Sequence, residues 1–181
     1  DDIDDVPEDE LGPENYPKHQ IHHKTIIAKD FRGYQNLVKL ISDAHINGMY
    51  YRPRTDMARL AEHAEGLIGL SGCINGVASQ KLIYNDFEGA RKATATFIAL
   101  FGKENYFIEL QNHGMAVQQR ILPGLKKLSK EFGLSMVAAN DVHYVYRDDW
   151  QPHDSLLCIQ TGKLVKDEQR LSLWTRKCQQ D

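Results

Sequence analysis

Short apolar runs alternate with longer stretches of helical periodicity along this chain. The runs TIIA, LIGL, YFIEL and SMVAA occupy residues 25–28, 67–70, 106–110 and 135–139, and a segment of helical spacing follows each of them. Because parallel neighbours need helical crossovers, repeated strand-then-helix units predict an α/β fold with a parallel sheet or barrel. The 181 residues, of which 41% are hydrophobic, are enough for one sizeable core.

Apolar spacing and capping residues predict where the helices lie. Apolar residues recur at helical spacing from Tyr34 to Ala44, before Gly48. Pro123 is expected either to kink the helix that contains it or to delay its start. Further helices are predicted over 77–83, over 87–100 with Asn85 or Asp86 as cap and Gly102 past the end, over 117–132 before Gly133, and from Asp148 or Asp149 towards Gly162.

The two ends of the chain differ in composition from the part between them. Residues 1–18 are rich in acidic residues and proline, with little to bury, so we expect an acidic loop or disordered arm. Residues 19–170 carry the alternating pattern and are predicted to form one domain. Residues 171–181 lack an apolar stripe and are predicted to be a tail. We expect both ends to be cut ends of a longer protein.

Charge and cysteine content exclude some classes of protein. The 22 Lys and Arg residues against 25 Asp and Glu residues give a net charge of −3, which does not fit an autonomous duplex-binding domain. Any contact with nucleic acid must therefore come from a local patch or from other parts of a larger protein. Three cysteines without paired spacing and the lack of a long apolar run predict a cytoplasmic protein that does not enter the membrane.

Residues with metal-ligating side chains follow the predicted strands. Cys73 comes after the second run, Glu109 and His113 lie at the end of the third, and Asp141 and His143 follow the fourth. Ligands and catalytic groups of parallel α/β folds gather beyond the carboxyl ends of the strands. Thiolate, imidazole and carboxylate groups on one face of the sheet would suit a metal cluster.

Each of these signals also has a structural interpretation. Asp141 and His143 have strand spacing that points both side chains the same way, but a turn-capping Asp beside a hydrogen-bonded His fits equally well. Cys73 by itself is more typical of a small buried residue. His19, His22 and His23 could chelate a metal if their segment were helical, but the β-branched run that follows argues against a helix, and one of them serving in a shared site is the better interpretation.

Six ordered sequence blocks between about His22 and Leu171 resemble one known family. They are HHKTIIAKDFRGYQNLVKL, GMYYRPRTDM, LAEHAEGLIGLSGCINGVAS, YFIELQNHG, VAANDVHYV and HDSLLCIQTGK. Together they resemble the PHP domain of bacterial DNA polymerase III alpha subunits. The resemblance implies a partial distorted (β/α)7 PHP-type barrel with parallel strands and outer helices.

The resemblance also implies site residues and a cofactor. In the family a trinuclear cluster of divalent metals, such as zinc, manganese or magnesium, lies at the carboxyl rim of the barrel. His23, Cys73, Asp141 and His143 fall on four of its nine ligand positions, whereas the other five lie upstream of this chain. Glu109 and His113 are expected to line the site. Because the remaining ligands are shared among different metals, this chain alone should bind metal weakly or not at all.

The resemblance implies a parent protein that is a DNA-directed DNA polymerase acting in DNA replication. Its PHP domain would be a metal-dependent 3′–5′ proofreading exonuclease, or alternatively an inert scaffold that docks partners such as a separate proofreading exonuclease subunit. A stand-alone PHP phosphoesterase is disfavoured by YYRPR and CIQTGK, which resemble the polymerase branch. DNA and other replisome subunits are the expected partners. A barrel without its first strands would also expose sheet edges, which predicts self-association.

Overall fold

The computed structural model describes residues 12–17, 21–167 and 169–170. The predicted acidic arm and tail fall largely on residues outside this set, as does His19, and the domain boundaries stay predictions. In chain order the elements are β1 (Ile26–Ala28), α1 (Phe31–Ile46), β2 (Met49–Tyr50), β3 (Arg52–Pro53), α2 (Met57–Glu62), β4 (Leu67–Leu70), α3 (Val77–Ile83), α4 (Phe87–Phe101), β5 (Tyr106–Leu110), α5 (Ala116–Phe132), β6 (Met136–Ala138) and α6 (Trp150–Thr161), with short 3-10 turns at Pro13–Asn15, Lys103–Asn105 and Arg147–Asp149.

The main sheet has four strands in the order β1-β4-β5-β6. Strands β4, β5 and β6 are parallel, and α4 and α5 connect them, which confirms the predicted α/β class and is consistent with a partial PHP-type barrel. The direction of β1 is a correction, because it pairs antiparallel with β4, with Ile26 opposite Gly69 and Ala28 opposite Leu67. A β-branched run predicts a strand but carries no information on its direction. Direction depends on how the long connection through α1 and α2 returns to the sheet.

Helix ends follow the predicted caps closely. Asp86, one of the two predicted caps, accepts a hydrogen bond from the Gly89 amide at the start of α4. Asp30, which was not predicted as a cap, does the same for Gly33 at the start of α1. Helix α5 begins at Ala116 and continues through Pro123, so the proline does not delay its start. Gly133 ends α5 in the left-handed conformation, with φ of 61°.

The core lies between the sheet and the helices α3, α4 and α5. Its five largest almost completely buried side chains are Leu67, Ile83, Tyr106, Ile108 and Leu128. They come from two strands and two helices, so burial of these side chains ties the sheet to its helical layer.

Some apolar surface remains uncovered. Phe31, Tyr34, Val38 and Ile41 are exposed along α1, and β1 and β6 are the edges of the sheet within the described residues. Self-association through such edges stays a prediction, which sedimentation at increasing protein concentration would test. No helix in the described ranges is both long and apolar enough to cross a membrane.

Candidate metal centre

The turn after β4 brings Cys73 next to His23. Gly72 has φ of +90°, and a Cβ on it would lie 2.7 Å from the carbonyl oxygen of His23, so only glycine allows the two segments to come this close. The His23 amide donates a hydrogen bond of 3.0 Å to the carbonyl of Asn75. The Cys73 Sγ and His23 Nδ1 atoms are then 3.7 Å apart. A thiol and an imidazole in contact are a pair of ligand types that zinc accepts.

Asp141 and His143 form a second pair, in the segment after β6. The His143 Nδ1 atom lies 3.7 Å from Asp141 Oδ1 and 3.0 Å from the Asp141 carbonyl oxygen. Both side chains are exposed. The predicted strand spacing is therefore replaced by an irregular segment, since β6 already ends at Ala138.

His113 lies between the ends of β5 and β6. Its Nε2 atom is 3.2 Å from the Asp141 amide nitrogen, and its Nδ1 atom is 2.9 Å from Nε2 of Gln118. A neutral imidazole has one acceptor nitrogen, so these two donors compete for it. His113 thus contacts the Asp141 segment, and its neutral ring accepts a hydrogen bond from only one of the two donors at a time.

Glu109 is a buried carboxylate on β5, with 5% of its surface exposed. It accepts hydrogen bonds from Gln111 Nε2 at 2.8 Å and from Thr25 Oγ1 at 3.2 Å, while its amide donates to Ser71 Oγ at 2.8 Å.

Burial raises the pKa of the Cys73 thiol, and the negative charges of Glu109 and Asp141 raise it further. The segments next to β1, β4, β5 and β6 thus place thiol, imidazole and carboxylate groups at the same rim of the sheet.

The arrangement is that of ligand pairs and not of a closed coordination shell. In the part of the chain that the structure describes, no three His, Cys, Asp or Glu side chains gather closely enough to hold an ion. The donor types match a transition-metal site, but these residues alone do not fit a bound metal. The metal-ligand roles of His23, Cys73, Asp141 and His143 stay predictions.

Several polar residues at this rim were not found from the sequence. A cleft beside Cys73 and Glu109 is also lined by Ser79, Gln111 and Gln118. The Ser79 hydroxyl is buried and has no hydrogen-bond partner among the described residues. Gln118 could have been found from the sequence, because it is a polar residue beside Val117 in the apolar stripe that predicts the buried face of α5.

Lys24 is another residue that the sequence did not single out. Its Nζ atom lies 3.4 Å from the centroid of the Phe97 ring and 3.4 Å from the Tyr106 hydroxyl. Burial lowers the pKa of Lys24 to about 7, and the charge of Glu109 opposes this shift. The attraction between the ammonium group and the Phe97 ring also favours the charged form.

The half-buried Lys24 predicts a pH-dependent stability. Between about pH 7 and the ordinary lysine pKa of 10.5, the unfolded state binds more protons than the folded state, so Lys24 destabilises the fold increasingly as pH falls through this window. Lys24→Met is expected to raise the free energy of unfolding by about 1–3 kcal/mol at pH 6, with the gain shrinking towards pH 10. Urea unfolding at both pH values measures this. Lys126→Met, at an exposed position of α5, is the control, and an equal gain at both pH values would contradict the assignment.

Proteins of known family match most of this chain. The PHP domain family matches residues 7–113. The chain is 44% identical over 150 residues to the DNA polymerase III subunit alpha of Deinococcus radiodurans, which covers 83% of this chain and 11% of that protein. It is 42% identical over 156 residues to the corresponding subunit of Thermus aquaticus, covering 86% of this chain and 12% of that protein.

A third relative agrees with these two. The DNA polymerase III subunit alpha of Saccharopolyspora erythraea is 41% identical over 148 residues, covering 82% of this chain and 12% of the relative. The chain thus spans about an eighth of the length of the curated relatives that it matches. The resemblance inferred from the six sequence blocks is confirmed. The chain belongs to the PHP domain family, and along most of its length it is similar to DNA polymerase III alpha subunits.

Proposed function

We propose that this chain serves DNA replication as part of the PHP domain of a DNA polymerase III alpha subunit, a DNA-directed DNA polymerase. We further propose that its rim contributes ligands to a metal-dependent 3′–5′ exonuclease centre. The observation that supports this most directly is the contact of 3.7 Å between Cys73 Sγ and His23 Nδ1, which brings together the segment before β1 and the turn after β4.

The donor types of the rim favour one class of metal. A thiol and imidazoles are ligand types that zinc accepts, whereas manganese and magnesium prefer oxygen ligands such as the carboxylate. Such ions lower the pKa of a bound water and neutralise charge on a phosphodiester. The His23–Cys73 and Asp141–His143 pairs would hold part of the cluster, and further ligands must complete it. Cytoplasmic location and contact with replisome subunits follow as part of the same proposal.

A scaffold role is the second candidate, and the hydrogen bonds of the rim favour it. The Glu109 carboxylate accepts from Gln111 and Thr25 and is therefore hydrogen-bonded without an ion, and His113 lies in contact with Gln118 and the Asp141 amide. A rim stabilised in this way would present a rigid surface to partners such as a separate proofreading exonuclease subunit.

A measurement of metal binding distinguishes the exonuclease role from the scaffold role. Purified chain is stripped with a chelator and titrated with zinc or manganese in competition with a chromophoric chelator. We expect weak binding, reduced at least about tenfold in Cys73→Ala and in Asp141→Ala, because each substitution removes a ligand. His45→Ala, which removes an exposed histidine from α1, is the matched control.

The full-length gene product gives the decisive readout for activity. There Asp141→Asn is expected to abolish removal of a mispaired 3′ nucleotide while primer extension continues. Equal metal binding by all the variants, together with unchanged excision, would rule out the exonuclease role and leave the scaffold.

A further inference from the structure

Residues 49–54 form a small hairpin that stands apart from the main sheet; we name it the tyrosine hairpin. Its strands β2 and β3 pair antiparallel, with Met49 opposite Pro53 and Tyr50 opposite Arg52. Tyr51 is the single residue between them and forms the tip. The hairpin is anchored to the end of α1, where the Arg54 amide donates to the Gly48 carbonyl at 3.2 Å.

The tip is strained and exposed at the same residue. Tyr51 has φ of 59°, a left-handed conformation that costs a non-glycine residue free energy. Its side chain is 91% exposed, so burial does not offset that cost. Tyr50 is 65% exposed. Strain held at an exposed aromatic residue is an observation from which a functional role can be inferred.

The two rings are held in a fixed arrangement. Their centroids are 4.7 Å apart and their planes are 78° from parallel. The Arg54 guanidinium lies 4.5 Å from the centroid of the Tyr50 ring and donates to the Tyr50 carbonyl at 3.1 Å. Tyr50 is therefore supported by a cation–π contact, whereas Tyr51 is 91% exposed and presents its ring to solvent, where another flat group can stack on it.

The hairpin is positively charged although the chain is not. Arg52 and Arg54 lie in it and no acidic residue does, whereas the whole chain has a net charge of −3. Arg52 is exposed and forms no ion pair with any residue that the structure describes. An unpaired guanidinium beside exposed aromatic rings suits a ligand that carries both flat rings and negative charge.

We propose that the tyrosine hairpin binds single-stranded DNA, with a base stacked on Tyr51 and the phosphate backbone against Arg52. Binding of single strands without sequence preference combines aromatic stacking with backbone charge contacts, and the hairpin supplies both within six residues. Duplex DNA keeps its bases stacked on one another and offers no free face to Tyr51. The choice of DNA as the ligand rests on the proposed function, but the surface is separate from the metal rim in its residues.

Fluorescence anisotropy with a short labelled oligothymidylate tests this on the whole chain. The assay contains EDTA, so its result is independent of any metal site. The chain is expected to bind the oligothymidylate more tightly than a duplex, and binding is expected to weaken as salt rises. Tyr51→Gly should weaken binding about tenfold, and Arg52→Ala should weaken it and reduce its salt dependence.

Stability distinguishes a binding role from a structural one. Glycine adopts a positive φ freely, so Tyr51→Gly is expected to leave the urea midpoint unchanged or raised while binding falls. Tyr34→Ala, at a 56% exposed tyrosine on α1, is the control that should bind like the original chain. No measurable binding, equal binding by Tyr51→Gly, or a lowered midpoint in that variant would overturn the proposal. Absence of metal binding at the rim would contradict the proposed metal centre but not the binding of single-stranded DNA by the tyrosine hairpin.

Discussion

Gly33→Ala is expected to lower the free energy of unfolding by about 2 kcal/mol or more, although alanine is the better helix former by about 1 kcal/mol. A Cβ at Gly33 would lie 1.8 Å from the carbonyl oxygen of Gly66 and 2.5 Å from its carbonyl carbon. Both are backbone atoms, so no side-chain rotation relieves the overlap. Helix α1 would have to move away from the turn before β4.

The Gly66 turn has little freedom to accommodate that movement. Its carbonyl accepts a hydrogen bond of 2.8 Å from the Lys29 amide, and Gly66 itself has φ of 74°. Moving it would therefore disturb the start of β4 and the pairing with β1. We expect α1 to lose its packing before the rest of the sheet does.

Urea unfolding followed by circular dichroism measures this effect. Gln35→Ala, at an exposed position of the same helix, is the control and should stabilise slightly or leave stability unchanged. A Gly33→Ala variant as stable as the control would contradict the close approach of α1 to the turn.

Ile108→Ala is expected to lower the free energy of unfolding by about 2–5 kcal/mol. Ile108 is 0% exposed and lies in the middle of β5, between the parallel neighbours β4 and β6. Truncation would leave a cavity against α4 and α5, which the sheet cannot close without breaking its pairing. The adjacent residue is Glu109, so the same change is also expected to loosen the rim.

The matched control is Ile27→Ala on β1. Ile27 is 48% exposed on an edge strand, so the same truncation removes much less buried surface and should cost well under half as much. Thermal or urea unfolding of both variants gives the comparison. Similar losses at the two positions would contradict the central place of β5 in the core.

Most of the individual elements could be predicted from the sequence because their determinants are local. The runs LIGL and YFIEL are the strands β4 and β5, and Asp86 caps α4 as expected. Gly133 and Gly162 end their helices through left-handed conformations that glycine adopts without cost. The family was also identified from the sequence, because six blocks in a fixed order constrain it far more than any single motif.

The sequence did not determine relations between distant residues. It predicted strand β1 but not its antiparallel pairing, and it predicted ligand types on one rim but not the contact between His23 and Cys73. It gave no sign that the Lys24 ammonium group packs on the Phe97 ring or that Tyr51 is strained at a hairpin tip. Periodicity and caps act over a few residues, whereas strand direction, burial and side-chain distances arise from packing across the whole fold, which only the tertiary structure decides.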